Sequence, residues 1–118
     1  MKHASIIGIS FFIAVVAIAA GCATTPLHTE ASSSGIRAAE EVGANSIPRA
    51  ALYLQYAKEE LEHAKKLAHQ DEKEQAASML LRSEADAELA VALSREDSEK
   101  NEAKAAMDSV RQLRHDNP

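Results

Sequence analysis

The side chains able to do chemistry in this 118-residue chain are few and scattered. Cys22 is the single cysteine, and it follows directly on an apolar run in the stretch AIAAGCATTP. The five histidines are His3, His28, His63, His69 and His115. A structural or catalytic metal needs three or four converging ligands. Glu59 and His63 are spaced to share a helix face, but His69 falls roughly on the opposite side of the same helix. At most two ligands converge, so no metal site and no cofactor is expected. Carboxylates cluster at Glu59-Glu60-Glu62, Glu72-Glu74 and Glu96-Asp97-Glu99. Paired acids can do proton-transfer chemistry when an apolar pocket separates their pKa values. Here they alternate with Lys58, Lys65, Lys66, Lys73 and Lys100, and pairs such as Glu62–Lys66 and Glu96–Lys100 read as a solvated helix surface. The chain after Cys22 has no G-x-S-x-G, no glycine-rich phosphate loop and no Cys–His pair. The expected set of catalytic residues is empty, and the chain reads as non-enzymatic.

The N-terminus reads as an export signal. Lys2 and His3 form a short basic start, and Ala4 to Ala20 is uncharged and mostly apolar. That run is slightly short of the roughly 20 apolar residues a spanning helix needs, and small residues follow it as at a signal cleavage site. The stretch Ala19-Ala20-Gly21-Cys22 resembles the lipobox of bacterial lipoproteins, with Ala19 where that family usually has Leu. The resemblance implies a diacylglyceryl group on the Cys22 thiol and cleavage between Gly21 and Cys22. It also implies acylation of the new amino group. Ala23, rather than Asp, follows the cysteine, which implies the outer membrane, periplasmic face. A lipid would account for a cysteine with no disulfide partner in an exported chain. Several acyl chains on one residue anchor firmly, at about 0.8 kcal/mol per buried CH₂.

The expected organisation is therefore a signal peptide at 1–21, a lipidated Cys22 with a flexible tether to residue 35, and a helical domain at 36–118. Residues 23 to 35, ATTPLHTEASSSG, are small, polar and interrupted by Pro26, as a tether is. Loss of residues 1–21 removes Lys2 alone. That leaves 12 basic against 18 acidic side chains, a net charge of −6. Such a chain is a poor partner for nucleic acid or an anionic lipid surface. Aromatic residues are 3% of the chain, both phenylalanines lie in the apolar run, and alanine supplies much of the remaining apolar content. Alanine favours helix but buries little area, so close packing of helices through small side chains is expected.

The pattern predicts an all-α chain. Ile36, Ala39 and Val42 mark a short helix capped by Ser34 and ended at Gly43. Ser46 and Pro48 start a second helix running to His69, with Ala50, Leu54, Ala57, Leu61, Ala64 and Ala68 on one stripe. Asp71 and Glu74 fit a capping box for a third. No proline or glycine interrupts residues 71 to 117. Ala76, Leu80, Ser83, Ala87, Ala90 and Ser94 form its first stripe, and Ala103, Met107 (or Ala106), Val110 and Leu113 a second. A continuous third helix would be about twice as long as the second at 1.5 Å per residue. Two architectures follow: a long antiparallel hairpin with an uncovered distal stripe, or a break near Ser94–Ser98 and a three-helix bundle.

Ile36, Ala39, Gly43-Ala44, Pro48, Leu54, Ala57, Leu61, Ala64, Ala76-Ala77 and the run Ser83 to Ala90 resemble a bacterial envelope domain, domain-of-unknown-function family 4398. Asp86-Ala87-Glu88-Leu89-Ala90 is the most distinctive piece. The family often places a glycine in the turn between its long helices, where this chain has His69-Gln70-Asp71. The resemblance implies an α-helical, lipid-anchored envelope protein and brings no active site.

Two functions remain open. One is a structural or interaction module, a scaffold or adaptor, held to the membrane through Cys22 and engaging itself or another protein through Ala103, Met107, Val110 and Leu113. The other is a periplasmic stress-response module that binds metal ions or unfolded clients. Covalent attachment to peptidoglycan through a C-terminal lysine does not fit an ending of His115-Asp116-Asn117-Pro118.

Overall fold

The structure, a computed structural model, describes residues 26–117. Gly21, Cys22 and the apolar run lie outside the described residues. Three α-helices and one short 3₁₀ turn make up the described chain: α1 Glu30–Glu41, the turn Ala44–Ser46, α2 Pro48–His69 and α3 Lys73–Asp116. It is all-α, as the periodicity requires. The α2–α3 hairpin carries the core, and α1 packs against both of its helices.

Helix α1 begins at Glu30, inside the stretch expected to be tether. Three consecutive serines and a glycine are weak helix formers, so packing is what makes this segment helical. Ser32, Ile36 and Ala39 are buried at helical spacing. The Ser32 hydroxyl donates to the Leu80 carbonyl of α3 at 3.1 Å. Gly35 sits over Ala87, where a Cβ at position 35 would come within 3.0 Å of the Ala87 Cβ. The missing side chain lets the two backbones approach. Ser34 is therefore inside the helix, and Thr29 holds the N-cap position without a side-chain bond.

Gly43 ends α1 in the left-handed region at φ 81°, its N–H bonded to the Glu40 carbonyl at 3.0 Å. Ser46 does not cap α2: it is the last residue of the 3₁₀ turn, one position before the N-cap, with its N–H bonded to the Gly43 carbonyl at 3.0 Å. Ile47 takes the N-cap position and Pro48 the first turn, where a missing N–H costs nothing.

The α2–α3 interface is built from the expected stripes with two changes. Ala50, Leu54, Ala57, Leu61 and Ala64 are buried, but Leu67 rather than Ala68 completes the row. Across from them Ala76, Ser83, Ala87, Ala90 and Ser94 are buried, Leu80 is partly buried, and Leu93 is added. The alanines at 50, 57, 64, 76, 87 and 90 are fully enclosed. Such a seam gains its contacts from backbone proximity rather than from large side chains. Ser83 uses that proximity: its hydroxyl donates to the Ala57 carbonyl at 2.7 Å, tying α3 to α2 through the core.

The hairpin turn replaces glycine with Asp71, which adopts φ 63°. The Glu72 N–H reaches the Leu67 carbonyl at 2.9 Å and the Asp71 N–H the Ala68 carbonyl at 3.1 Å. That pair of bonds is a Schellman motif with Asp71 as its left-handed residue. Asp71 is thus spent on ending α2. The capping box with Glu74 does not form, and Glu72 takes the N-cap of α3 without a side-chain bond.

Helix α3 is continuous over 44 residues, twice the 22 of α2. No break occurs at Ser94–Ser98 and no segment folds back, so the three-helix alternative is excluded. Ser94 donates to the Ala90 carbonyl of its own helix at 2.8 Å and caps nothing. The physical reason lies in the stripe. Continuing the buried row 83, 87, 90, 94 by helical steps meets Asp97, Asn101, Ala105, Asp108 and Gln112. The core side of the helix turns polar after Ser94, leaving nothing for a returning helix to bury.

Candidate interaction surface

From Arg95 to Asp116 every residue of α3 is exposed. This distal arm extends about 33 Å at the α-helical rise of 1.5 Å per residue. It is held by its own surface bonds: Lys100 to Glu96, Asn101 Nδ2 to Asp97 at 3.1 Å, and Arg111 to Asp108 at 3.2 Å. Such pairs between neighbouring turns lend a helix modest support.

Ala103, Met107, Val110 and Leu113 lie together along this arm. Met107, Val110 and Leu113 are 56%, 47% and 62% exposed. At 100° per residue Ala103 lies about 180° around the helix from Ser94. The apolar distal stripe therefore faces away from the hairpin core. It also continues backward. Ala85, Leu89 and Ala92 are exposed on the outer face of the hairpin, followed at steps of three and four by Glu96, Glu99, Ala103, Ala106, Val110 and Leu113. The distal stripe is legible in the sequence; its outward direction and rearward continuation emerge from the burial pattern. The regular 4-3 spacing from Ala85 onward was the signal available for it.

The titratable groups are spread over separate places. Glu59 accepts from Gln55 Nε2 at 2.8 Å and is exposed, as are His63 and His69. No group of three His, Cys, Asp or Glu residues poised for a metal occurs among the described residues. Glu62 and Glu96 are held below the usual carboxylate range, by bonds from Lys65 and Lys100 respectively.

One acidic site departs from this solvated pattern. Glu60 Oε1 takes a 3.0 Å ion pair from Arg82 Nε across the hairpin, and its side chain is only 13% exposed. Its Oε2 is buried without a partner. Burial, then the neighbouring Asp86 carboxylate, pushes the Glu60 carboxyl above its ordinary value, against the opposing pull of Arg82. Glu60 and Asp86 are on different helices, which is why the linear clusters did not reveal the pair. With Tyr56 and Glu59 it lines a cleft of about 280 Å³, small beside the roughly 300–1,000 Å³ of ligand pockets. A larger groove of about 680 Å³ lies toward the hairpin turn, between Leu27, Ala31, Ala68, Ala77, Leu80 and Leu81.

Fold and surface together define an all-α helical hairpin, braced by a short third helix and extended by a solvated helical arm with one apolar face. No family model matches the chain, and neither curated proteins nor solved structures give a match. Among the described residues no helix is long and apolar enough to cross a membrane.

Proposed function

We propose that this protein is a non-catalytic interaction module of the bacterial envelope, a scaffold or adaptor that docks a partner on the distal arm of α3. The observation carrying this reading is the arm itself. Met107, Val110 and Leu113 are exposed on one face of a helix that, among the described residues, has no cover beyond Lys100. An apolar row at helical spacing on a rigid projection is a helix-docking surface. The lipobox-like AIAAGC and the resemblance to family 4398 support a lipid anchor at Cys22 and an outer-membrane, periplasmic placement. In that placement the tether sets the hairpin off the bilayer and the arm is the part free to meet other envelope proteins.

The test compares the full-length chain with its Val110→Asp, Leu113→Asp double variant in affinity capture from bacterial membranes. Loss of the captured protein, or of self-capture, with unchanged helicity supports the reading. Identical capture by both chains defeats it. Two further readouts address the anchor: Cys22→Ser should abolish incorporation of labelled fatty acid and release the protein from the membrane fraction.

A further inference from the structure

We propose that the occupant of the distal arm is a second copy of this chain, packed antiparallel along the outer face of α3; this rests on the interaction reading above and names its partner. One row on the outer face of α3 repeats at steps of four and three from Ala85 to Leu113 and is apolar except at Glu96 and Glu99. Both carboxylates are exposed in the single chain. Two acids inside an otherwise apolar heptad row need cationic partners when that row is covered. Their own chain offers Lys100 to Glu96, with Arg49 of α2 nearby, and no bond to Glu99.

The arm's charge is divided along its length. Residues 95–102 carry Glu96, Asp97, Glu99 and Glu102 against Arg95 and Lys100; residues 103–116 carry Lys104, Arg111 and Arg114 against Asp108 and Asp116. Parallel pairing of two arms would set acidic half on acidic half and basic on basic. Antiparallel pairing sets each acidic half on the other copy's basic half. With Ala103 of one copy opposite Ala106 of the second, Glu96 and Glu99 run alongside Arg114 and Arg111 of the second copy. Val110 and Leu113 then cover the apolar stems of the same layers. The alanines at the centre permit close approach of the two helices, as they do within the hairpin. Because the pairing is two-fold, each contact is made twice.

Cysteine crosslinking in cells producing the full-length chain tests this, with the chain bearing only Cys22 as background. Ala106→Cys lies near the two-fold axis and should give a crosslinked dimer above background. Val110→Cys alone should not, because its two copies are separated along the pair. Val110→Cys co-produced with Glu99→Cys should give the mixed dimer. A dimer from Val110→Cys alone would show parallel pairing and overturn the proposal. No dimer at any position, with another protein captured at the same arm, would overturn self-pairing while leaving the interaction reading standing. No dimer and no captured protein would remove both.

Discussion

Replacing Glu60 with glutamine should stabilise the hairpin at neutral pH. The Glu60 carboxylate bonds Arg82 through one oxygen, while its other oxygen is buried without a partner near the Asp86 carboxylate. In Glu60→Gln the amide oxygen still accepts from Arg82, and the Nε2 group can donate to Asp86. A hydrogen bond to a charged acceptor contributes about 1.5 kcal/mol. Weakening the ion pair to an Arg82 that is 63% exposed loses about 0.5 kcal/mol. The net gain is about 1 kcal/mol, or roughly 4–8 °C in Tm for a domain of this size. The pH dependence follows from the direction of the shift. A carboxyl raised above its ordinary 4.5 in the folded state binds its proton more tightly there than in the unfolded chain. Its contribution is fully present below 4.5 and is lost as pH rises through the raised value. The advantage of Glu60→Gln should therefore be largest at pH 7 and shrink as the pH is lowered toward 4.5. Thermal unfolding followed by far-ultraviolet circular dichroism, at both pH values, reads this out. A lower Tm for the variant at pH 7 would show that the Arg82 pair outweighs the crowding of Glu60 and Asp86.

Asp71→Gly should stabilise by about 0.5–1 kcal/mol in chemical denaturation, since Asp71 pays a left-handed penalty that glycine does not. Ser83→Leu should destabilise by at least about 2 kcal/mol in the same assay, because a fully enclosed position between close helices has no room for the added atoms. Val110→Asp should leave the unfolding free energy of the monomer, measured at concentrations too low for self-pairing, within about 0.5 kcal/mol of the parent, as an exposed residue outside the core should. Acidification should release the bonds of Glu62 to Lys65 and Glu96 to Lys100. Both carboxyls are depressed in the folded chain, so that support is present above 4.5 and lost as pH falls below it, a loss visible as a change in their carboxyl NMR shifts.

The hairpin was legible because two alanine-rich stripes at steps of three and four leave little choice of periodicity. Leu54, Ala57, Leu61, Ala87 and Ala90 fall where that spacing puts them. Helix α1 was half legible. Ser32-Ser33-Ser34-Gly35 has tether composition, and only its contacts with Leu80 and Ala87 reveal why it is helical. The caps were misread for a common reason. Ser46 and Asp71 are residues that cap helices, yet each is used by the preceding turn, Ser46 by its backbone and Asp71 by its left-handed φ. Past Ser94 the sequence admits two architectures, and α3 is continuous. That continuity is explained by Asp97, Asn101 and Asp108 on the core side, a pattern readable once the facing direction of the buried row is known. The Glu60–Asp86 pair joins two helices and has no linear signature.

The distal arm can be probed with a photo-crosslinking residue at Val110 in cells producing the full-length chain, with Gln112 on the arm's opposite, polar side as the control. Docking on the apolar face predicts a covalent product with a second polypeptide from Val110 and little or none from Gln112. Equal products from both positions, or a crosslink from Val110 only to its own chain, would contradict the assignment of this face as the protein's interaction surface.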